Sequence, residues 1–346
     1  MAPAAPAVDP YQDGLNKLEA KDPGVRRQGI DQLAQLRRPE AAPSILPLLR
    51  DEQAPVRAAA ANALGLLHSA QAVKPLADLL QKDPDAGVRQ SAATSLAYIG
   101  DASAVDALTG ALSDKDPGVR YSAVRTLGAM RAASAVPALS KLLQDPDVAL
   151  RRAAAAALAQ FRTPAAAAAL RPSVADSDAE IRMNAVGAIA SSPDPGAAGA
   201  LLEALKDGDV SVRLKAAQGL ASIGISSGVP VALGALSDPQ PAIRQRAAST
   251  LGLIGDEKTG LPALDKAFKA ETDQVTRSVI DFARAQLKSR LGIVEKPAAA
   301  PLVMTSTGTA SAAGRPATKP KIKPKTKPKA KPAPKKKAPA PPPQAQ

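Results

Sequence analysis

Between Asp114 and Arg120 the chain reads DKDPGVR. Two carboxylates two residues apart, a Pro-Gly pair and an arginine could ligate a cation, clamp an anion or supply an acid–base pair. A calcium loop needs more oxygen ligands and a terminal Glu, and this stretch has neither. A nucleophile–base–acid set cannot be assembled, because the 346 residues include one histidine, His68, and no cysteine. The same counts exclude thiolate and multi-His metal sites. His68, in LLHSAQ, stands at a helix end and is expected to be exposed or capping. No Walker motif or Gly-rich phosphate loop is present. The reading is therefore of a chain that is not an enzyme and carries no cofactor. What remains able to recognise a ligand is cationic or aromatic.

The elements that position these groups follow from a repeat. Arginines recur at 26, 57, 89, 120, 151, 182, 213 and 244, at steps of 31 or 32. Seven residues after each stands Leu33, Leu64, Leu96, Leu127, Leu158, Ile189, Leu220 or Leu251. Four before it stands Asp at 22, 85, 116, 147, 178 and 209, and Gln at 53 and 240. Such a period marks a repeat array, in which each unit buries its apolar face only against its neighbours. Each unit reads as two helices. In the fourth, Asp116 suits an N-cap and Pro117 the first helical position. Val119, Ala123, Leu127 and Met130 then follow at helical spacing. The preceding helix uses Val105, Leu108 and Leu112 behind a cap at Asp101. Gly100 and Gly255 both suit the left-handed residue that ends a helix. Prolines at 43, 75, 137, 230 and 262 should bend or delay the first helix of their units. Phe282, Leu287 and Leu291 are expected to seal the last unit. DKDPGVR thus reads as a repeated turn, because D-x-D recurs at 83/85, 114/116, 145/147, 176/178 and 207/209.

The stretches DASAVDALTGALSDKDPGVRYSAVRTLGAM (101–130) and AVPALSKLLQDPDVALRRAAAAALAQF (135–161) resemble HEAT repeats, especially the short type of phycobilin-lyase subunits. The resemblance covers residues 11–290. It implies an all-α, right-handed α-solenoid of about nine stacked helix pairs. It also implies Asp–Arg ladders between units and a concave side lined by the second helices. Among enzymes of this architecture, deoxyhypusine hydroxylases need several His-Glu pairs, and alkyl-base glycosylases use tryptophans. This chain has no tryptophan and no second histidine.

On the second helices, the residues one, two and five after each repeat arginine should point away from the core. They include Arg27, Arg125, Arg152, Lys215 and Arg246 against a single acid, Asp31, with Tyr98 and Tyr121 near the middle. If the implied geometry holds, these seven cationic and aromatic residues line a mildly positive concave face for a partner protein, an acidic one in the sharper reading. An ordinary solvated face is the plainer alternative.

The net charge of +13 is uneven. Residues 297–346 carry Arg315 and ten lysines and no acid, whereas the rest of the chain nets +2. These lysines are Lys319, Lys321, Lys323, Lys325, Lys327, Lys329, Lys331, Lys335, Lys336 and Lys337. Alternating with proline, they read as a disordered Lys/Pro/Ala-rich tail. Its expected role is non-specific contact with nucleic acid or another polyanion, or that of a spacer. The organisation expected is a disordered segment over 1–10, a solenoid over 11–292 and a disordered basic tail over 293–346. No run of apolar residues is long enough to span a membrane, and no secretory signal opens the chain. A cytoplasmic scaffold is the expectation, with a lyase-like subunit and a tail-driven nucleic-acid-associated protein as alternatives.

Because each unit is stabilised by its neighbours, Leu127→Ala should cost about 2–5 kcal/mol and split unfolding into stages. Thermal melting followed by circular dichroism checks this, and a single unchanged transition would contradict it.

Overall fold

The computed structural model describes residues 9–192 and 196–293. The expectations for residues 1–8 and for the tail, including all ten tail lysines, fall outside the described residues. Among these residues every regular element is helical. The α-helices form nine successive pairs. They are α1 (Pro10–Lys17) with α2 (Pro23–Leu36), α3 (Ala42–Ile45) with α4 (Ala54–Leu66), and α5 (Val73–Lys82) with α6 (Ala86–Ile99). Next come α7 (Val105–Ala111) with α8 (Pro117–Ala129), α9 (Val136–Lys141) with α10 (Val148–Phe161), and α11 (Pro164–Leu170) with α12 (Ala179–Ala190). The last three are α13 (Ala197–Ala204) with α14 (Val210–Ser222), α15 (Val229–Ala235) with α16 (Pro241–Ile254), and α17 (Gly260–Ala270) with α18 (Gln274–Arg290). Each second helix packs on the second helix of the next unit, from α2 through to α18. The result is an all-helical solenoid.

The repeat residues build this stack as physical chemistry requires. Val119, Ala123 and Leu127 are fully buried, with the alanines letting neighbouring helices approach. Gly128 makes one such close approach: a Cβ there would stand 2.9 Å from the Cβ of Ala157 on α10. The aspartates four before the arginines cap their helices, as when Asp116 accepts from the Val119 N–H at 3.0 Å. Gln53 and Gln240 make no such side-chain bond. Pro43, Pro75, Pro137, Pro230 and Pro262 fall within the first turn of α3, α5, α9, α15 and α17. There a missing N–H costs little, so proline sets where the helix begins rather than bending it.

The repeat arginine has two duties. Its Nη1 donates to the carbonyls six and five residues upstream, as in Arg89 to Asp83 and Pro84 at 2.9 and 3.2 Å. Its Nε and Nη2 reach the next unit: Arg89 forks onto Asp114 with both bonds at 2.8 Å. The same fork joins Arg26 to Asp51, Arg57 to Asp83, Arg182 to Asp207 and Arg244 to Glu271. Arg151 reaches Asp176 through Nε alone, at 3.2 Å. Arg120 and Arg213 keep only their own-unit carbonyls.

D-x-D is thereby resolved. In four of the five pairs the first carboxylate receives the previous unit's arginine, and in all five it bonds the backbone N–H two residues on while the second caps the helix. Asp114 accepts from the Asp116 N–H at 2.8 Å in this way. The arginine fork outweighs burial and holds the Asp114 carboxyl below the usual carboxylate range.

Three expectations are corrected. Gly255 is not left-handed (φ −58), unlike Gly100 (φ 72). Phe282 is 71% exposed. On α18 the inward face is Ile280, Ala283 and Leu287, and a residue two beyond Ile280 lies on the opposite side of a 3.6-residue turn. The aromatic tucked into the last unit is instead Phe268, flanked by the guanidinium groups of Arg277 and Arg284 at 4.7 and 4.6 Å from its ring centre. Leu214, placed on the outward face by its position, is fully buried.

The ladder predicts unequal costs for equivalent arginines. Arg89→Ala strands the half-buried Asp114 carboxylate and should cost about 3 kcal/mol. Arg120→Ala removes carbonyl contacts alone and should cost about 1 kcal/mol. Urea unfolding of the two variants decides; equal losses would contradict the ladder assignment.

Candidate functional site

The outward residues of the second helices form one surface, because these helices stack in the same orientation from unit to unit. The structure sorts the seven predicted residues into three groups. Tyr98 on α6 and Tyr121 on α8 are 53% and 43% exposed. Arg125, one helical turn after Tyr121, places its guanidinium carbon 6.0 Å from the Tyr121 ring centre. Tyr121 and Arg125 make an aromatic–cationic pair suited to anchoring a partner side chain, and towards the other end of the neighbouring helix stands the exposed Tyr98. His68 borders it: its Nδ1 lies 2.7 Å from the Tyr98 carbonyl oxygen, and it holds a left-handed backbone at the end of α4 (φ 50).

The second group is neutralised. Arg152 pairs with Asp178, the cap of α12, and lies 3.5 Å from Glu180. This contact holds the Asp178 carboxyl down at about 2. Arg152 therefore supports the next unit and offers little free positive charge. Arg27 faces Asp31 at 3.7 Å, with both side chains more than half exposed.

The third group is brought together. Lys215 on α14 and Arg246 on α16 share a cleft of about 370 Å³ with Arg162, the residue just after α10. Met183, Asn184 and Gly187 on α12 and Gln218 on α14 complete much of its wall. The cleft has no acidic lining residue. Arg162 was missed by the sequence reading because it lies beyond the helix, eleven residues after its repeat arginine. Its left-handed backbone (φ 51) turns the chain there. A signal was available: Arg37, His68 and Arg131 occupy the same repeat position and share that conformation.

Among the described residues there is no cluster of three or more His, Cys, Asp or Glu able to hold a metal ion. No helix among them is long and apolar enough to cross a membrane.

Comparison with known proteins places this architecture. The HEAT-repeat family matches at residues 13–97, 73–157, 136–210 and 198–283. No curated protein matches the chain. Among solved structures, the chain is similar to the Escherichia coli protein YIBA at 24% identity and a TM-score of 0.55, over 78% of this chain and 97% of that one. An engineered protein is similar at 22% identity and a TM-score of 0.50, over 81% and 89%. The complex of CpcE and CpcF of phycocyanin lyase from Nostoc sp. PCC7120 is similar at 26% identity and a TM-score of 0.41, over 72% and 98%.

The contact at Asp178 gives a pH signature. Its folded pKa lies below the unfolded value of about 3.9. Its stabilising contribution is thus complete above pH ~4 and lost as pH falls through about 2. Arg152→Gln should raise the Asp178 pKa toward ~3.9 and move acid unfolding to higher pH. Carboxyl NMR titration reads this directly, and an unmoved Asp178 would contradict the pairing. With four matched segments spanning residues 13–283 and a helix pair in every unit, the chain belongs to the HEAT-repeat family.

Proposed function

We propose that the protein is a non-enzymatic scaffold that binds a partner protein along the exposed face of its second helices. HEAT-repeat solenoids typically serve as protein-interaction scaffolds. The observation that carries the reading is the placement of Tyr98, Tyr121 and Arg125 at the surface of adjacent helices. Tyrosine and arginine are enriched among the residues that dominate interface energies. Arg27, Arg152, Lys215 and Arg246 complete the proposed face. In this reading the tail lysines add contact to a polyanion, the binding is non-specific and salt-dependent, and the protein works in the cytoplasm.

A lyase-like subunit is the second reading, motivated by the likeness of the repeats to phycobilin-lyase subunits. It predicts a visible absorbance on purification or a bilin adduct. A tail-driven nucleic-acid-associated protein is the third. It predicts that capture is lost on nuclease treatment.

Affinity capture from nuclease-treated lysate separates these readings. The full chain is compared with Tyr98→Ala/Tyr121→Ala/Arg125→Glu and with a full-length variant whose ten tail lysines are glutamine. The scaffold reading expects a protein that survives loss of the tail charge and falls at least tenfold with the face variant. Capture that follows the tail lysines alone would overturn it.

A further inference from the structure

We infer that the cleft across α10, α12, α14 and α16 is a docking groove for an extended acidic segment of a partner protein, held by Arg162, Lys215 and Arg246. This rests on the scaffold reading and narrows it to one groove and one chemistry.

Charge complementarity points to the occupant. Three cations converge on a cleft with no acidic lining residue. Among the described residues, none of the three is within ion-pairing distance of a carboxylate, whereas the nearby Arg152 is paired twice. The two larger clefts on the other side of the units differ. One contains the Arg244–Glu271 pair and the other contains Asp51, Arg57 and Asp83 of the ladder, so acids stand among their cations.

The shape of the groove favours a peptide. It crosses four consecutive second helices, and at helix spacings of 8–10 Å it runs about 24–30 Å. At about 3.3 Å per residue an extended chain lying across it spans that distance with roughly seven to nine residues. Asn184 and Gln218 offer both donors and acceptors, which matches the alternating polar groups of a peptide backbone. Met183 adds an adaptable apolar contact. No aromatic residue lines the cleft, so it lacks the stacking platform that single-stranded nucleic acid uses. Gly187 in the wall keeps space open beside Lys215, whose Cε lies 3.5 Å from where a Cβ would stand.

The test uses the full-length chain with its ten tail lysines changed to glutamine, which removes the other site for an acidic probe. The probe is a fluorescein-labelled decapeptide of alternating Glu and Gly, followed by anisotropy. Lys215→Glu with Arg246→Glu should weaken binding at least tenfold. Arg50→Glu with Lys74→Glu, an equal charge change at the cleft between α3 and α5, should leave it within twofold. Should the reversal fail to fold, Lys215→Gln with Arg246→Gln should still weaken binding severalfold with an unchanged melting curve. Equal losses in both pairs, absence of probe binding, or equal affinity for inorganic polyphosphate of matched charge would overturn the inference. If the acidic probe is ignored while a lysate protein is still captured through Tyr98, Tyr121 and Arg125, the groove fails and the scaffold reading stands. If both bindings are absent, both fail.

Discussion

The structure depends on a guanidinium that serves two units at once. Arg89 is only 3% exposed, and a charge so placed is costly unless paired and fully hydrogen-bonded. Four of its five N–H donors meet that demand by splitting between two own-unit carbonyls and the carboxylate of the following unit. Lysine could not do this, since it lacks the planar fork that engages a carboxylate with two parallel bonds. The requirement also fixes the period: the acceptor must lie 25–27 residues after the arginine in each rung.

The end units show the same logic. Each acceptor stands six residues before the arginine of its own unit, and in the first unit that place holds Ala20. Residues 1–19 contain no arginine. At the other end, Arg277 meets no rung carboxylate among the described residues and stacks on Phe268. The ladder also divides the surface by charge. Rung and cap carboxylates gather where the first helix of a unit passes into the second. The opposite turns carry left-handed Arg37, Arg131 and Arg162. The cationic cleft follows from this division, because many of the acids that would neutralise it are engaged elsewhere.

The period, the helix pairs and the capping aspartates were legible because each is written within about ten residues and repeated. The role of the first carboxylate in D-x-D was not assigned to it, since it depends on a partner one unit away. Phe282 misled because a helix of seventeen residues (α18) presents more than one apolar stripe, and only packing selects Ile280, Ala283 and Leu287. Leu214 misled for a related reason. Helical position gives direction, but a neighbouring helix decides burial and a neighbouring cap decides pairing. Arg162 escaped because helical periodicity stops at the end of α10, while the chain turns back at that point to place it beside Lys215 and Arg246.

The central claim is that the recurring carboxylates and arginines are one architectural device. It is tested most directly by a double-mutant cycle on Arg57 and Asp83, whose side chains meet at 2.7 Å with both largely hidden from solvent. Unfolding free energies would be compared for the unaltered chain, Arg57→Ala, Asp83→Ala and the double variant. A coupling of about 1–3 kcal/mol is predicted, as for residues joined in one buried network. Additive losses, within about 0.3 kcal/mol, would show that the arginine and the carboxylate act separately and would contradict the ladder.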